Sequence, residues 1–203
     1  MYTPADFKFE DAKEIESFLQ NNAFATMFTS KDSSHSATHV PLLLSEDKKY
    51  LIGHLSKANP QGRLFLDKPK VLCVFLGPHC YISPSWYESN RAVPTWNYIS
   101  VHISGILRIV SDPQKIRSNL QQLVDTYETD DSKYVLNDVD SQYLSGLEKG
   151  IINFEIEILE VEAKKKLSQN HSIERQMLVI DNLEKSQSQN EMLIAQEMRK
   201  NLQ

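Results

Sequence analysis

Apolar and polar residues alternate with a period of two along several short stretches of this chain, which is the mark of half-buried strands. Over 95–110, Ile99, Val101, Ile103, Leu107 and Ile109 share one parity, and Ser100, His102, Ser104 and Arg108 share the other. Asn97 continues the apolar parity, so its amide faces inward and needs partners there. Runs at 24–29, 37–44 and 50–56 predict three earlier strands, with a polar turn over 31–36 and Pro41 marking an edge or a bulge. The run 71–76, VLCVFL, is continuously apolar and predicts a strand buried on both faces. At 151–162 the alternation changes phase, Phe154, Ile156 and Ile158 holding one parity and Leu159 and Val161 the other. A β-bulge near 158–159 would turn both sets toward the core.

Helical periods are fewer. Ile15, Phe18 and Leu19 predict an amphipathic helix that lids the first sheet, after an extended N-terminal arm. Asp112 or Ser111 as cap, Pro113 at the first position and Ile116, Leu120, Leu123, Val124 and Tyr127 on one face predict a scaffold helix. The stretch 128–140 is acidic and irregular, and a short helix follows to Lys149. Residues 171–203 read as two helices broken near 186–190, with Ile173, Met177 and Ile180 on one stripe and Ile194, Met198 and Leu202 on the other. Such stripes dock on the parent domain or on a second subunit, and the second subunit is the expectation here. Six or seven short strands with prolines at their ends predict a closed or split antiparallel barrel.

The 203 residues suffice for one sizeable core without staples. A net charge of −5 gives no general attraction to nucleic acid. Cys73 and Cys80 fit neither a disulfide framework nor a zinc site, and the N-terminus carries no apolar signal core. With no apolar run long enough to span a bilayer, the expectation is a cytoplasmic protein without membrane contact.

The candidate chemistry gathers in two places. The stretch 77–105 holds half of the chain's tyrosines and tryptophans. Pro84 ends the strand near 81–87, and a polar loop over 88–93 is closed by Pro94. Ser83, Ser85, Trp86, Thr95, Trp96 and Asn97 therefore crowd one open end, where flat rings with polar tips can floor a planar ligand. An aromatic-rich barrel core with two Ser-capped turns would read the same way. The second place is SKANPQ at 56–61, where Asn59 caps a short helix whose first residue is Pro60. Ser56, Lys57, Asn59 and free backbone N–H groups at that helix start make a serviceable anion site. In the triplet 164–166 the first two lysines read as a solvated strand end, whereas Lys166, beside Ser168, Gln169 and Asn170, can point into the barrel mouth. His54, His79 and His102 read as hydrogen-bonded barrel histidines rather than haem or metal ligands. There is no phosphate loop, dinucleotide fingerprint, nucleophile elbow or zinc-protease motif, and no catalytic residues stand out.

The motifs THVPLLL (38–44), GHLSKANPQ (53–61), GPHCYISPSWY (77–87), VPTWNYISVHISG (93–105) and KLSQN (166–170), with MYTP at the start, resemble those of the PaiB family of FMN-binding negative transcriptional regulators. The likeness implies a mainly β, α+β fold. It would be a split antiparallel β-barrel of the FMN-binding, pyridoxamine-phosphate-oxidase-like type with peripheral helices, a barrel domain over 1–170 and a helical appendage over 171–203. It also implies FMN as cofactor, a homodimer, and repression of protease and sporulation genes through DNA contacted directly or by another regulator. Carried onto this chain, the flavin phosphate falls to His54, Ser56, Lys57 and Asn59. The isoalloxazine falls to Ser83, Ser85, Trp86, Thr95, Trp96 and Asn97, with Lys166 nearby. Two positions depart from the family: Gly62 replaces an aromatic, implying looser packing by the phosphate turn, and His171 replaces an arginine after KLSQN. The other functions open to this fold are an FMN-dependent oxidoreductase of flavin-reductase type and a haem-binding split-barrel protein.

Overall fold

The computed structural model describes residues 1–89, 91–129 and 131–202; Asn90, in the loop predicted over 88–93, Asp130, in the acidic stretch, and Gln203, at the end of the second C-terminal helix, lie outside the described residues. Seven strands form one sheet among them: β1 (Phe24–Lys31), β2 (Ser34–Pro41), β3 (Leu43–Leu44), β4 (Tyr50–Ser56), β5 (Lys70–Ile82), β6 (Thr95–Ile109) and β7 (Ile151–Lys166). Their order is β2-β1-β5-β6-β7-β4-β3, and the pairings of β1 with β2 and β5, of β3 with β4 and of β4 with β7 are antiparallel. The sheet ends at β2 and β3 without closing on itself, the arrangement of a split barrel. The helices are α1 (Ala12–Asn21), α2 (Pro113–Tyr127), α3 (Ser141–Lys149), α4 (Ile173–Leu183) and α5 (Gln189–Asn201).

The chain gathers into two compact units. One holds Met1–Phe18, Phe75–His102 and Glu162–Gln203, and the other holds Leu19–Val74 and Ile103–Val161. In the second unit the core is built from alternate residues: Ala25 and Met27 of β1, Val71 and Cys73 of β5, Ile103 and Leu107 of β6, and Phe154 and Ile156 of β7 are all buried. The turn predicted over 31–36 is tighter. Lys31 already pairs with Ser34, and Asp32 and Ser33 make the reversal with φ of 48° and 67°, the left-handed geometry of a two-residue hairpin. Pro41 ends β2 at a rim of the sheet, as its missing N–H requires. Helix α2 begins as its sequence dictates, with Asp112 accepting from Gln114 N at 2.9 Å ahead of Pro113. Its Leu123 packs on Ala23, Leu43 and Ile52.

Three expectations fail on faces. The run 71–76 is not buried on both sides: Val71, Cys73 and Phe75 are, while Leu76 is 52% exposed. Leu159 and Val161 stay on the surface, so the phase change in β7 does not return them to the core. Gly62 does not mark loose packing, because a Cβ there would stand 2.5 Å from Ile152 Cδ1, so that side chain already takes the room.

In the first unit Phe18 of α1 lies against Gly77 of β5 and meets Phe9 edge-on at 6.3 Å. Of the C-terminal stripes expected to face a second subunit, Ile180, Ile194 and Met198 are fully buried within the chain, Met177 and Leu202 are half-buried and Ile173 is 64% exposed. Lys164, expected in solvent, is buried; its ammonium donates to Tyr2 O at 3.1 Å and stands 5.2 Å from the Tyr98 ring centre and 5.7 Å from that of Phe7. Lys165 pairs with Glu14 at 2.7 Å and lies 4.3 Å from the Phe9 ring centre. Cys73 and Cys80 are buried thiols whose pKa desolvation pushes up to about 12, which leaves them inert as nucleophiles.

Burial also holds His54 and His102 below their ordinary pKa of 6.5. The folded chain therefore binds fewer protons than the unfolded one. The associated stability is fully present above that value and is lost as pH falls below it toward the folded values. The expected result is a urea midpoint that drops between pH 7.5 and 5.5, with a shallower drop in His54→Gln; equal drops in the two proteins would remove this histidine from the account.

Candidate ligand-binding site

The first unit contains a cavity of about 480 Å³. Four local structures aim side chains into it. Alternation along β6 turns Thr95 and Asn97 to this side. The strand β7 ends at Lys166, and the chain then turns through Ser168 at φ 67°. Gln169 ties that turn down, accepting from Leu167 N at 2.6 Å and donating to Lys165 O at 2.7 Å. Ser172 caps α4 by accepting from Arg175 N at 3.3 Å, which delivers His171 and Arg175 to the cavity wall. From the other side, the single 3-10 turn Pro84–Trp86 presents Tyr87, and Arg91 and Val93 follow.

Asn97 is fully buried and meets its obligation within the site: its Nδ2 donates to Ser168 Oγ at 3.0 Å, and the Ser168 hydroxyl reaches Asn97 Oδ1 at 3.3 Å. The Lys166 ammonium donates to Thr95 Oγ1 and, at 2.7 Å, to Trp96 O. Both acceptors are neutral, so burial, helped by the charge of Lys164, pulls its pKa down. Arg175 forks onto Glu88, with Nε donating to Oε2 at 3.1 Å and Nη2 to Oε1, and its guanidinium lies 4.6 Å from the Tyr87 ring centre. His171 sits 5.6 Å from Tyr87, and burial beside Arg175 holds its pKa below the ordinary value. An arginine's charge is thus absent at 171 and is present at 175. The Tyr87 hydroxyl is buried with no hydrogen-bond partner among the described residues.

Of the residues singled out from the sequence, Thr95, Asn97 and Lys166 come together in this cavity. Trp96 does not, because the neighbour of an inward residue on a strand points outward; it is 53% exposed and lies 6.3 Å from His79 and 6.2 Å from Tyr81 between ring centres. Ser83 and Ser85 cap their own turn, Ser83 Oγ accepting from Ser85 N at 3.2 Å and lying 2.7 Å from Ser85 Oγ. Trp86 closes that turn through its N–H to Ser83 O. His54, Ser56, Lys57 and Asn59 belong to the second unit.

There the expected nest of free N–H groups is absent. Lys57 N donates to Gly150 O, Ala58 N to Ser56 Oγ, Asn59 N to Ser56 O, Gln61 N to Asn59 Oδ1 and Gly62 N to Asn59 O. Proline has no N–H, and Asn59 spends its other amide group on Thr38 Oγ1 at 3.0 Å. The cap that makes the turn recognisable is what consumes its donors. Lys57 remains as the cation of that turn.

The sequence reading missed Tyr87, Arg91 and Arg175 as members of the site. Tyr87 stands inside a motif already noted; Arg175 pairs across 87 positions with Glu88, and no local period announces such a pair.

Residues 1–160 match a family described as "Putative FMN-binding domain". Over 205 aligned residues, 100% of this chain and 98% of the other, the sequence is 38% identical to the protease synthase and sporulation protein PAI 2 of Bacillus subtilis (strain 168). The chain belongs to the PaiB family of FMN-binding proteins. Solved structures share the fold at low identity. The flavocytochrome Anf3 of Azotobacter vinelandii superposes with a TM-score of 0.59 at 17% identity, over 77% of this chain and 68% of that one. An FAD and heme binding protein from Mycobacterium smegmatis gives 0.58 at 14%, over 78% and 72%.

The cofactor of this family is FMN, and the residues present suit its parts. An isoalloxazine needs bare ring surface, which Trp96, His79 and Tyr81 supply on β5 and β6. Trp96 points away from the cavity, so the two places can serve only different parts of the cofactor: within the cavity the Tyr87 hydroxyl is a buried donor with no hydrogen-bond partner among the described residues, and the cations a phosphate needs are Lys166 and Arg91, which have no ion pair among the described residues. When bound, the flavin supplies redox chemistry and colour; the protein's own contribution is to bind it and shield it. No helix is long and apolar enough to cross a membrane among the described residues.

Proposed function

We propose that this PaiB-family protein is an FMN-binding negative transcriptional regulator of degradative-enzyme and sporulation genes, acting in the cytoplasm as a homodimer. The observation that carries the reading is the 38% identity to the Bacillus protease synthase and sporulation protein over the whole of both chains. The flavin ring lies on the exposed face of Trp96, beside His79 and Tyr81. With a net charge of −5, contact with DNA is local or passes through another regulator.

Two experiments test this. Titrating FMN into the purified protein should quench tryptophan emission saturably. Trp96→Ala should remove most of the quenching and weaken FMN about tenfold, the scale of one lost aromatic stack. Full quenching in that variant, which retains Trp86, would move the ring elsewhere. In cells, deleting the gene should raise extracellular protease, and the wild-type gene should restore repression where the Trp96→Ala allele does not. Unchanged protease on deletion would overturn the regulatory reading.

A further inference from the structure

We propose that the cavity between β6, the end of β7 and the start of α4 is a receptor for a phosphate monoester, with Glu88 occupying the position of that anion on Arg175 until the ligand arrives. The charges argue first. Lys166, Arg91 and Arg175 line the cavity, and Glu88 is the one carboxylate bonded to any of them among the described residues. Three cations less one carboxylate leave two positive charges, matching the roughly −1.5 to −2 of a phosphate monoester at neutral pH. His171 adds none at that pH, since its proton is held less tightly than usual.

Geometry argues second. A guanidinium fork on a carboxylate is the same bidentate pattern it offers to phosphate, and a lysine serves as the complementary point charge. Glu88 reaches Arg175 from outside the cavity lining, its side chain 55% exposed, so it can leave without unpacking anything. Tyr87 stacks under the same guanidinium and keeps it in place, while its own buried hydroxyl has a hydrogen to give and no acceptor among the described residues. The lysine is the most telling member. Its ammonium is partly buried against neutral oxygens, an arrangement that an incoming anion stabilises. Lys166, Ser168, His171 and Arg175 lie beyond residue 160, where the match to the FMN-binding domain ends, while Tyr87, Glu88, Arg91, Thr95 and Asn97 lie within it.

The anion can be a free phosphorylated metabolite or the phosphate end of FMN itself. The test is calorimetric titration of the full chain with inorganic phosphate, with and without saturating FMN or riboflavin. Expected are saturable phosphate binding, a loss of about tenfold or more in Lys166→Met and in Arg175→Gln, and a gain of several-fold in Glu88→Gln, where the internal competitor is gone. In Arg175→Gln the Glu88 substitution should change nothing. Arg91→Ala, on an exposed loop residue, is the variant least able to disturb the fold and should also weaken binding. Phosphate binding that persists in FMN-loaded protein identifies a separate metabolite; exclusion by FMN but not by riboflavin identifies the cofactor's own phosphate. No phosphate binding at millimolar concentration, or equal affinity in all four variants, overturns the proposal. Neither result bears on Trp96 quenching, so the flavin reading stands or falls separately.

Discussion

Phe154→Ala is expected to lower the stability of the fold by roughly 3–5 kcal/mol, the cost of removing a fully buried aromatic and leaving its cavity. The ring sits in β7 opposite Gly53 of β4, so close that a Cβ on that glycine would stand 3.0 Å from its outermost carbon. On another side Phe65 meets it edge-on, 5.3 Å away at 71°, and is itself buried. A glycine and a ring already in its own slot border the gap, and neither can swing in to fill it. A typical domain has only about 5–15 kcal/mol in hand, so roughly a fifth or more of the total is at stake. Urea unfolding measures this as a lower midpoint at unchanged slope. Leu66→Ala, one position along from Phe65 but 78% exposed, should stay within about 0.5 kcal/mol of wild type. A loss below about 1 kcal/mol in Phe154→Ala would mean the cluster repacks and the core is not held as described.

What could be read from the residues was what depends on near neighbours. Parity alone assigns Ile99, Val101, Ile103, Leu107 and Ile109 to one inward face; the first four are buried, and Ile109, the last residue of β6, is 37% exposed. Cap chemistry alone starts the turn at Asn59 and the helix at Asp112, and both side chains accept as expected. The motifs carry the family, which the comparison over the whole chain bears out. Where the reading failed, a partner distant in sequence decided. An apolar run such as 71–76 does not say which of its faces is covered, and neither does the shifted pair Leu159 and Val161. Lys164 looked solvated because the rings that surround it, Tyr2, Phe7 and Tyr98, come from two other parts of the chain. The site shows the same division. Thr95, Asn97 and Lys166 stand in strong motifs and share one cavity, whereas Trp96, crowded beside them in sequence, lies on the other face of the strand. At 56–61 the expected free N–H groups are already bonded, since a turn good enough to be recognised satisfies its own donors.

Gly105→Ala should be about as damaging as the loss of a core side chain, for the opposite reason. Its φ is ordinary, so the demand is for space alone. A Cβ at 105 would meet Ile156 Cγ2 at 2.5 Å and the backbone carbon of Glu157 at 3.2 Å, with the carbonyl oxygen of Glu157 nearer still. An isoleucine tip can rotate away. A carbonyl in β7 cannot, because β7 lies between β6 and β4 and its backbone from Ile151 to Glu157 is paired along β4. Relief therefore means prising β6 from β7, and we expect a loss of about 3 kcal/mol, the upper end of overpacking costs. Gly146 supplies the control. It lies in α3 with nothing within 4 Å of a Cβ among the described residues, so alanine there should add about 0.5–1 kcal/mol by helix propensity and a stiffer unfolded chain. The same substitution at two glycines should thus move the urea midpoint in opposite directions. Two shifts of one sign would show that helix propensity or the unfolded state, and not the approach of β7, governs position 105.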